Sequence, residues 1–415
     1  MTAIPQTTSQ MIDLSNLSPE NAMDKAIAHA VAEGASDLML LAHEDYYALN
    51  IRQLGVIRPV SIVSRDLGKR LGQYIKAQAG MDVAEHRHPH DGRWIYDELV
   101  EEGAEDTQEH TVDLRISSIP TMYGEDTVIR LLSRRTGLFN LEGIGLSKKE
   151  LDDVKLMLDS PGGLILCCGP TGSGKPATLY AALKYLNDGT KKINTIEDPI
   201  EFAIDGLRQS QINHTIGIHF SALLRGVLRQ SPDVIMIGEI RDHETATTAV
   251  HAANSGHIVL STIHAPVAAA AVESMRSLGV NNHFLATALR GVISQRLVRT
   301  LDPERRVEYD ISHAPQIFEP ISHLLDDVDG TKFYAPGADD KHTGYNGQTG
   351  VFEVMSLNNE LRNMVSHGND TNHLRKQAHK DGMLDFKSNA LLKVAQGVTS
   401  IEEVFRVIPA EYLED

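Results

Sequence analysis

Residues 163–186 decide the fold: Gly163-Leu164-Ile165-Leu166-Cys167-Cys168 runs into Gly169-Pro170-Thr171-Gly172-Ser173-Gly174-Lys175-Pro176-Ala177 and on to Leu186. The first six residues form an apolar run of strand length, and 174–186 carry a helical pattern. Glycines at such a junction let backbone N–H groups turn inward around phosphate oxygens, and the helix N-terminus adds its dipole. Lys175 supplies a point charge for the β- and γ-phosphates. The spacing predicts a nucleoside triphosphate site built from Gly169, Pro170, Thr171, Gly172, Ser173, Gly174, Lys175, Pro176 and Ala177. Pro176 stands where a Ser or Thr hydroxyl ordinarily holds Mg²⁺. Proline has neither hydroxyl nor N–H, although its fixed φ suits the first turn of a helix. Thr178 lies about 200° further round the helix and is a poor substitute. Weaker Mg²⁺ coordination is expected, with the metal carried by phosphate oxygens, water and more distant carboxylates.

Downstream, strand and helix patterns alternate: 192–197, 220–230, 234–237, a helix from about 244, then 257–263. Alternation of this kind predicts a largely parallel sheet covered by helices. Val234 to Ile237 is an apolar strand followed by Gly238 and Glu239, a carboxylate placed to orient water or hold a metal-bound water. Thr195 to Glu201 brings Glu197, Asp198 and Glu201 after another strand. His257 and His264 flank a third and are expected at the same edge.

Upstream, Ser18 caps a helix that has Pro19 at its first position and Gly34 as its stop. Strand signals follow at 38–41, 47–52 and 56–63, a helix at 67–79, a loop at Asp91-Gly92-Arg93, and strands at 111–118 and 127–132. The organisation reads as a disordered tail over 1–17, an α+β domain over 18–135, a linker over 136–146 and an α/β domain over 147–415. The last opens on a capping box, Ser147-Lys148-Lys149-Glu150. Within it, 302–346 is irregular and the remainder helical, with a second capping box at Thr399-Ser400-Ile401-Glu402.

Composition narrows the function. The 415 residues carry 39 Lys and Arg against 56 Asp and Glu, a net charge of −17, which speaks against broad nucleic-acid binding. Adjacent Cys167 and Cys168 suit neither an ordinary disulfide nor a structural zinc site. The first 19 residues lack a secretory apolar core, and no run approaches the ~18 apolar residues of a membrane span. A cytoplasmic protein is expected.

Taken together, these motifs resemble the secretion ATPase superfamily, the hexameric motors of type II secretion and type IV pilus assembly. The glycine loop is followed, in family order, by Thr195 to Glu201, by Leu228-Arg229-Gln230-Ser231-Pro232-Asp233 leading to Gly238-Glu239-Ile240-Arg241-Asp242, and by Ser255-Gly256-His257 through Ser261-Thr262-Ile263-His264. Asp91-Gly92-Arg93, Arg115 to Thr121, Gly124-Glu125 and Arg130 resemble the N-terminal domain of assembly-type members. The resemblance implies a RecA-like P-loop motor domain preceded by a small PAS-like domain. It implies Glu197, Glu239 and His264 as catalytic residues, with Asp198, Glu201 and His257 auxiliary. Arg115, Arg130, Arg225, Arg229 and Arg241 would contact phosphates. ATP and Mg²⁺ would be the cofactors, with Glu239 near the metal. The implied partners are further copies of the chain, in a hexamer, and an inner-membrane platform protein, with no nucleic acid. The implied location is cytoplasmic, peripheral to the inner membrane. Two departures accompany Pro176. Asp302, Arg305, Gly337 and Asp340 replace the four cysteines of a zinc site, so no zinc is expected, although Asp302, Asp339, Asp340 and His342 could bind a cation. The long N-terminal docking region of larger members is not found. Two alternatives stand beside the motor: a nucleotide-binding regulatory or scaffold member, because of Pro176, and a RecA-like nucleic-acid translocase.

Overall fold

A computed structural model describes residues 11–97, 111–132, 140–310, 321, 325, 332–338 and 343–413. The chain separates into two compact units, Met1–Thr136 with Ala338–Thr343, and Gly137–Gly337 with Gly344–Asp415. Calls falling on 1–10, on Arg135 and on Asp339, Asp340 and His342 lie outside the described residues.

In the first unit, α1 (Pro19–Ala32) begins where Ser18 Oγ accepts from Asn21 N at 3.3 Å. Strands β1 (Asp37–Ala42), β2 (Tyr46–Gln53) and β3 (Val56–Ser64) lead into α2 (Arg65–Gln78), and β4 (His90–Asp97), β5 (Thr111–Pro120) and β6 (Glu125–Leu132) complete an antiparallel sheet of order β3-β2-β1-β6-β5-β4. Met23, Ile27, Leu71 and Ile75 from the helices pack with Leu38, Leu49, Leu114 and Ile129 from the sheet.

The loop expected at Asp91-Gly92-Arg93 is part of β4. Gly92 is there for close approach: a Cβ on it would fall 2.8 Å from the Ala79 carbonyl oxygen and 2.6 Å from Met81 Cγ.

The second unit opens with α3 (Lys148–Leu158), whose capping box is complete: Glu150 N donates to Ser147 Oγ at 3.4 Å and Ser147 N to Glu150 Oε2 at 2.8 Å. Then come β7 (Gly163–Cys168), α4 (Lys175–Leu186), β8 (Ile193–Glu197), β9 (Arg208–Gln211), α5 (Phe220–Leu228), β10 (Val234–Ile237), α6 (His243–Asn254) and β11 (Ile258–Ile263). Helices α7 (Ala270–Ser277) and α8 (Asn282–Ala288) precede β12 (Leu289–Leu301), the short pair β13 (Val307–Asp310) and β14 (Lys332–Ala335), and β15 (Tyr345–Ser356). Helices α9 (Asn359–Ser366), α10 (Thr371–Lys380), α11 (Phe386–Ala395) and α12 (Ile401–Val407) close the chain.

The main sheet runs β15-β12-β7-β11-β10-β8-β9 and is parallel except for β12–β15. Each central strand feeds two cores, because successive side chains point to opposite faces. Leu164, Leu166, Ile235 and Val259 enter one; Ile165, Cys167, Val234 and Leu260 enter the other. The same alternation sends Cys167 and Cys168 to opposite faces, both free and fully buried. Burial pushes both thiols up, Cys168 to about 12.

Three expectations need correction here. Residues 347–356, expected to be helical, lie in strand β15, and β13–β14 and the start of β15 give the segment 302–346 local order. The final capping motif shifts by one residue: Ser400 Oγ accepts from Glu403 N at 3.3 Å, while Thr399 Oγ1 donates to Arg299 O at 2.8 Å. The Glu403 carboxylate is taken by Arg299 and Arg406, so it does not close a box.

Gly92→Ala should destabilise the first unit by about 1–3 kcal/mol through overpacking. The transition is readable from Trp94, the single tryptophan, and an unchanged midpoint would show that the approach to Ala79 is not tight.

Candidate functional site

Parallel pairing sets the C-terminal ends of β7, β8, β10 and β11 along one edge, where they open on a cavity of roughly 300 Å³. Thr171, Gly172, Lys175 and Pro176 line it from the loop after β7. Glu197, Asp198 and Glu201 come from the end of β8 and the residues after it, Glu239 and Arg241 from the segment after β10, Thr262 from β11 and His264 from the residue that follows it. Gly169, Pro170, Ser173, Gly174 and Ala177 shape the loop and are outside its lining.

Two close approaches set the loop's path. Gly169 has φ +141° and its missing Cβ leaves room for the Gln295 carbonyl oxygen, which a Cβ would meet at 2.5 Å. Gly174, at φ +86°, turns the chain into α4. Gln295 Nε2 donates to Ser173 O at 2.7 Å, and Cys167 Sγ donates to Gln295 Oε1 at 3.2 Å. Lys175 Nζ donates to the Gly169 and Pro170 carbonyls at 2.9 and 3.0 Å, and burial draws its ammonium below the usual range. Pro176 sits in the first turn of α4, where a missing N–H is tolerated.

The two central acids are both held. Glu239 lies between Arg241 Nη2, at 2.6 Å, and His264 Nε2, at 2.9 Å, and its carboxylate raises Arg241 further above the usual range. Glu197 is 4% exposed and accepts from Tyr180 Oη, from Thr195 Oγ1 at 2.5 Å and from Gln209 Nε2 at 3.1 Å. Burial, with Glu197 alongside, pushes the Tyr180 phenol above its ordinary range. Asp198 Oδ2 is 3.4 Å from His214 Nε2, and Glu201 N donates to Tyr180 Oη at 3.2 Å.

His257 is not in this group. It precedes β11 whereas His264 follows it, which puts about 20 Å of strand between them. Its Nδ1 is 2.9 Å from the Ala252 carbonyl at the end of α6. Arg225 pairs with Glu244, and Arg229 Nη1 donates to Arg225 O at 2.8 Å; neither lines the cavity. In the first unit, Arg115 and Arg130 are direct partners in the β5–β6 register, and Arg130 Nε is 3.3 Å from Asp37 Oδ1.

The sequence profile of the Type II/IV secretion system protein family matches residues 15–406. The chain belongs to that family. It is 37% identical over 387 residues to the Type II secretion system protein E of Dickeya dadantii, covering 93% of this chain and 74% of the relative. To the Type IV pilus assembly ATPase PilB of Pseudomonas aeruginosa it is 35% identical over 386 residues, covering 93% of this chain and 66% of the relative. Among solved structures, the ATPase DotB of Legionella pneumophila superposes with a TM-score of 0.70 at 19% identity, over 96% of this chain and 98% of that one, a likeness of fold.

The donors at this cavity do not fit the Mg²⁺ site that such a loop ordinarily forms. Pro176 offers no oxygen where the metal's hydroxyl ligand belongs, and Thr178 is buried and outside the lining. Glu239 and Glu197 are engaged by cations and donors, and no cluster of three metal-ligating side chains occurs among the described residues.

Sequence reasoning missed Tyr180, Thr195, Gln209 and Gln295. Tyr180 and Thr195 are polar groups inside elements read for their apolar pattern, and Gln209 and Gln295 lie in strands that the apolar pattern does not mark. Tyr180→Phe should cost about 1–3 kcal/mol, since it deprives a buried carboxylate of one donor. Labelling of Cys167 and Cys168 along a denaturant series measures this, and an unshifted curve would show that Thr195 and Gln209 suffice.

Proposed function

We propose that the chain is an ATP-hydrolysing motor subunit that works as a homo-oligomeric ring, a hexamer, for a type II secretion or type IV pilus machine. One observation carries the reading: in a chain of this family, a glycine loop with its lysine, two strand-end acids, an arginine and a histidine converge on a single cavity. The ring would act at the cytoplasmic side of the inner membrane against a platform protein there. Among the described residues no helix is long and apolar enough to cross a membrane, so attachment would run through such a partner.

In this reading the triphosphate lies along the loop after β7, its β- and γ-phosphates drawing Lys175 away from the Gly169 and Pro170 carbonyls. Water attacks the γ-phosphorus as the bond to the ADP oxygen breaks. The water's proton passes to Glu197, which must exchange the Tyr180 hydroxyl for that water. Arg241 and His264, both resting on Glu239, are poised to turn toward the γ-phosphoryl oxygens. Any Mg²⁺ would arrive on the phosphates, since Pro176 has no hydroxyl to hold it.

The lining sets four carboxylates, Glu197, Asp198, Glu201 and Glu239, against the full cations Lys175 and Arg241. A triphosphate therefore needs more positive charge than the cavity itself supplies. Arg115 and Arg130 are proposed to supply it on closure of the first unit, a movement that would convert hydrolysis into work. Arg225 and Arg229 would have to leave Glu244 and the Arg225 carbonyl to contribute.

Purified protein should release phosphate from ATP, and Glu239→Gln should slow release about a hundredfold while ATP affinity stays within about twofold. Equal rates in parent and variant would overturn the motor reading. A nucleotide-binding regulatory member is the second reading, favoured by Pro176 and by two acids that are already engaged. It predicts no turnover in the parent and a gain in Pro176→Ser.

A further inference from the structure

The buried charges of β12 and β15 take no part in the chemistry above. Arg296 is 5% exposed and Glu353 wholly buried, and burial raises the Glu353 carboxyl above its usual range. Charged groups in such places are costly unless well paired, so what they bind matters.

Both grip the loop that follows His264. Arg296 Nη2 donates to Pro266 O at 2.7 Å, Glu353 Oε2 accepts from Ala268 N at 3.0 Å, and Cys168 Sγ donates to Val267 O at 3.7 Å. Ser274 Oγ holds the His264 carbonyl itself at 2.9 Å. The same Arg296 guanidinium reaches the other side of the site. Its Nη1 donates to Gln295 O at 3.1 Å, and that carbonyl is the one lying against Gly169. One planar fork therefore spans the backbone that abuts the glycine loop and the backbone two residues beyond His264. The Phe386 ring, 4.8 Å from the Arg296 Cζ, covers its face.

We propose that Arg296, seconded by Glu353, is a positioning residue that sets His264 against Glu239 according to the state of the glycine loop. A phosphate that shifts Gly169 moves the Gln295 carbonyl; the guanidinium passes the shift to Pro266 and so to the 2.9 Å contact between His264 and Glu239. Lysine cannot do this, because a single ammonium lacks the two rigidly spaced donors. Gln295 has a separate task, since its side chain bridges Cys167 and Ser173 and does not touch the loop after His264.

The proposal rests on the ATPase reading for its kinetic test and on the loop alone for its structural one. Arg296→Lys should lower kcat about tenfold or more with KM for ATP within about twofold, as loss of a group acting beyond binding does. His264→Gln should give a similar loss, and the double variant no further loss, the non-additivity of two residues on one route. Multiplying losses, or a change in KM alone, would overturn the proposal. Amide exchange over 264–269 in the full-length protein decides the structural part without turnover. It should quicken in Arg296→Lys and Glu353→Gln, and unchanged exchange in both overturns the positioning role. A parent without turnover defeats the ATPase reading instead, and the exchange result then stands by itself.

Discussion

Parallel strand pairing is the constraint on which the rest depends. Six neighbouring strands that run the same way must end at the same edge, whatever their order in sequence. Gly169, Asp198, Glu239 and His264 each follow directly or nearly so on β7, β8, β10 and β11, and the pairing brings four segments spread over 95 residues round one cavity. Nothing in the loop after β7 would do this alone. Gly169 lets the Gln295 carbonyl of β12 lie close against the loop.

Much of this was legible because apolar runs and glycines carry strong signals. The strands β7, β8, β10 and β11 and the helix α4 were read almost to the residue, since each central strand is buried on both faces and shows it. The sheet's other half was not read. Strand β12 gives no clear strand signal and β15 reads as part of a helical stretch, because Arg290, Ser294, Gln295, Arg296 and Glu353 interrupt the apolar pattern. Three of those interruptions, Gln295, Arg296 and Glu353, hold the two loops, so residues that hide the strands also organise the site. At Gly92 the error had a different cause: a glycine needed for close packing inside a strand reads like a glycine needed for a turn.

The histidines show the limit of reading by motif. His257 and His264 share a motif and a strand, yet strand length alone separates them, and only His264 meets an acid at the cavity. The acids themselves are restrained: Glu239 by a guanidinium and an imidazole, Glu197 by three donors. Pro176 adds to the restraint by withholding an oxygen where one is ordinarily found. The site as built is well furnished to receive phosphate charge, and its acids must give up partners before they can act.

Whether the triphosphate lies where the glycine loop places it is the claim beneath all the others. Titration of the full-length protein and of Lys175→Ala with a fluorescent ATP analogue tests it directly, because the half-buried ammonium is the site's own cation. Affinity should fall about a hundredfold or more, as expected when a charge-assisted phosphate contact is removed. Binding of equal strength in the two proteins would contradict it.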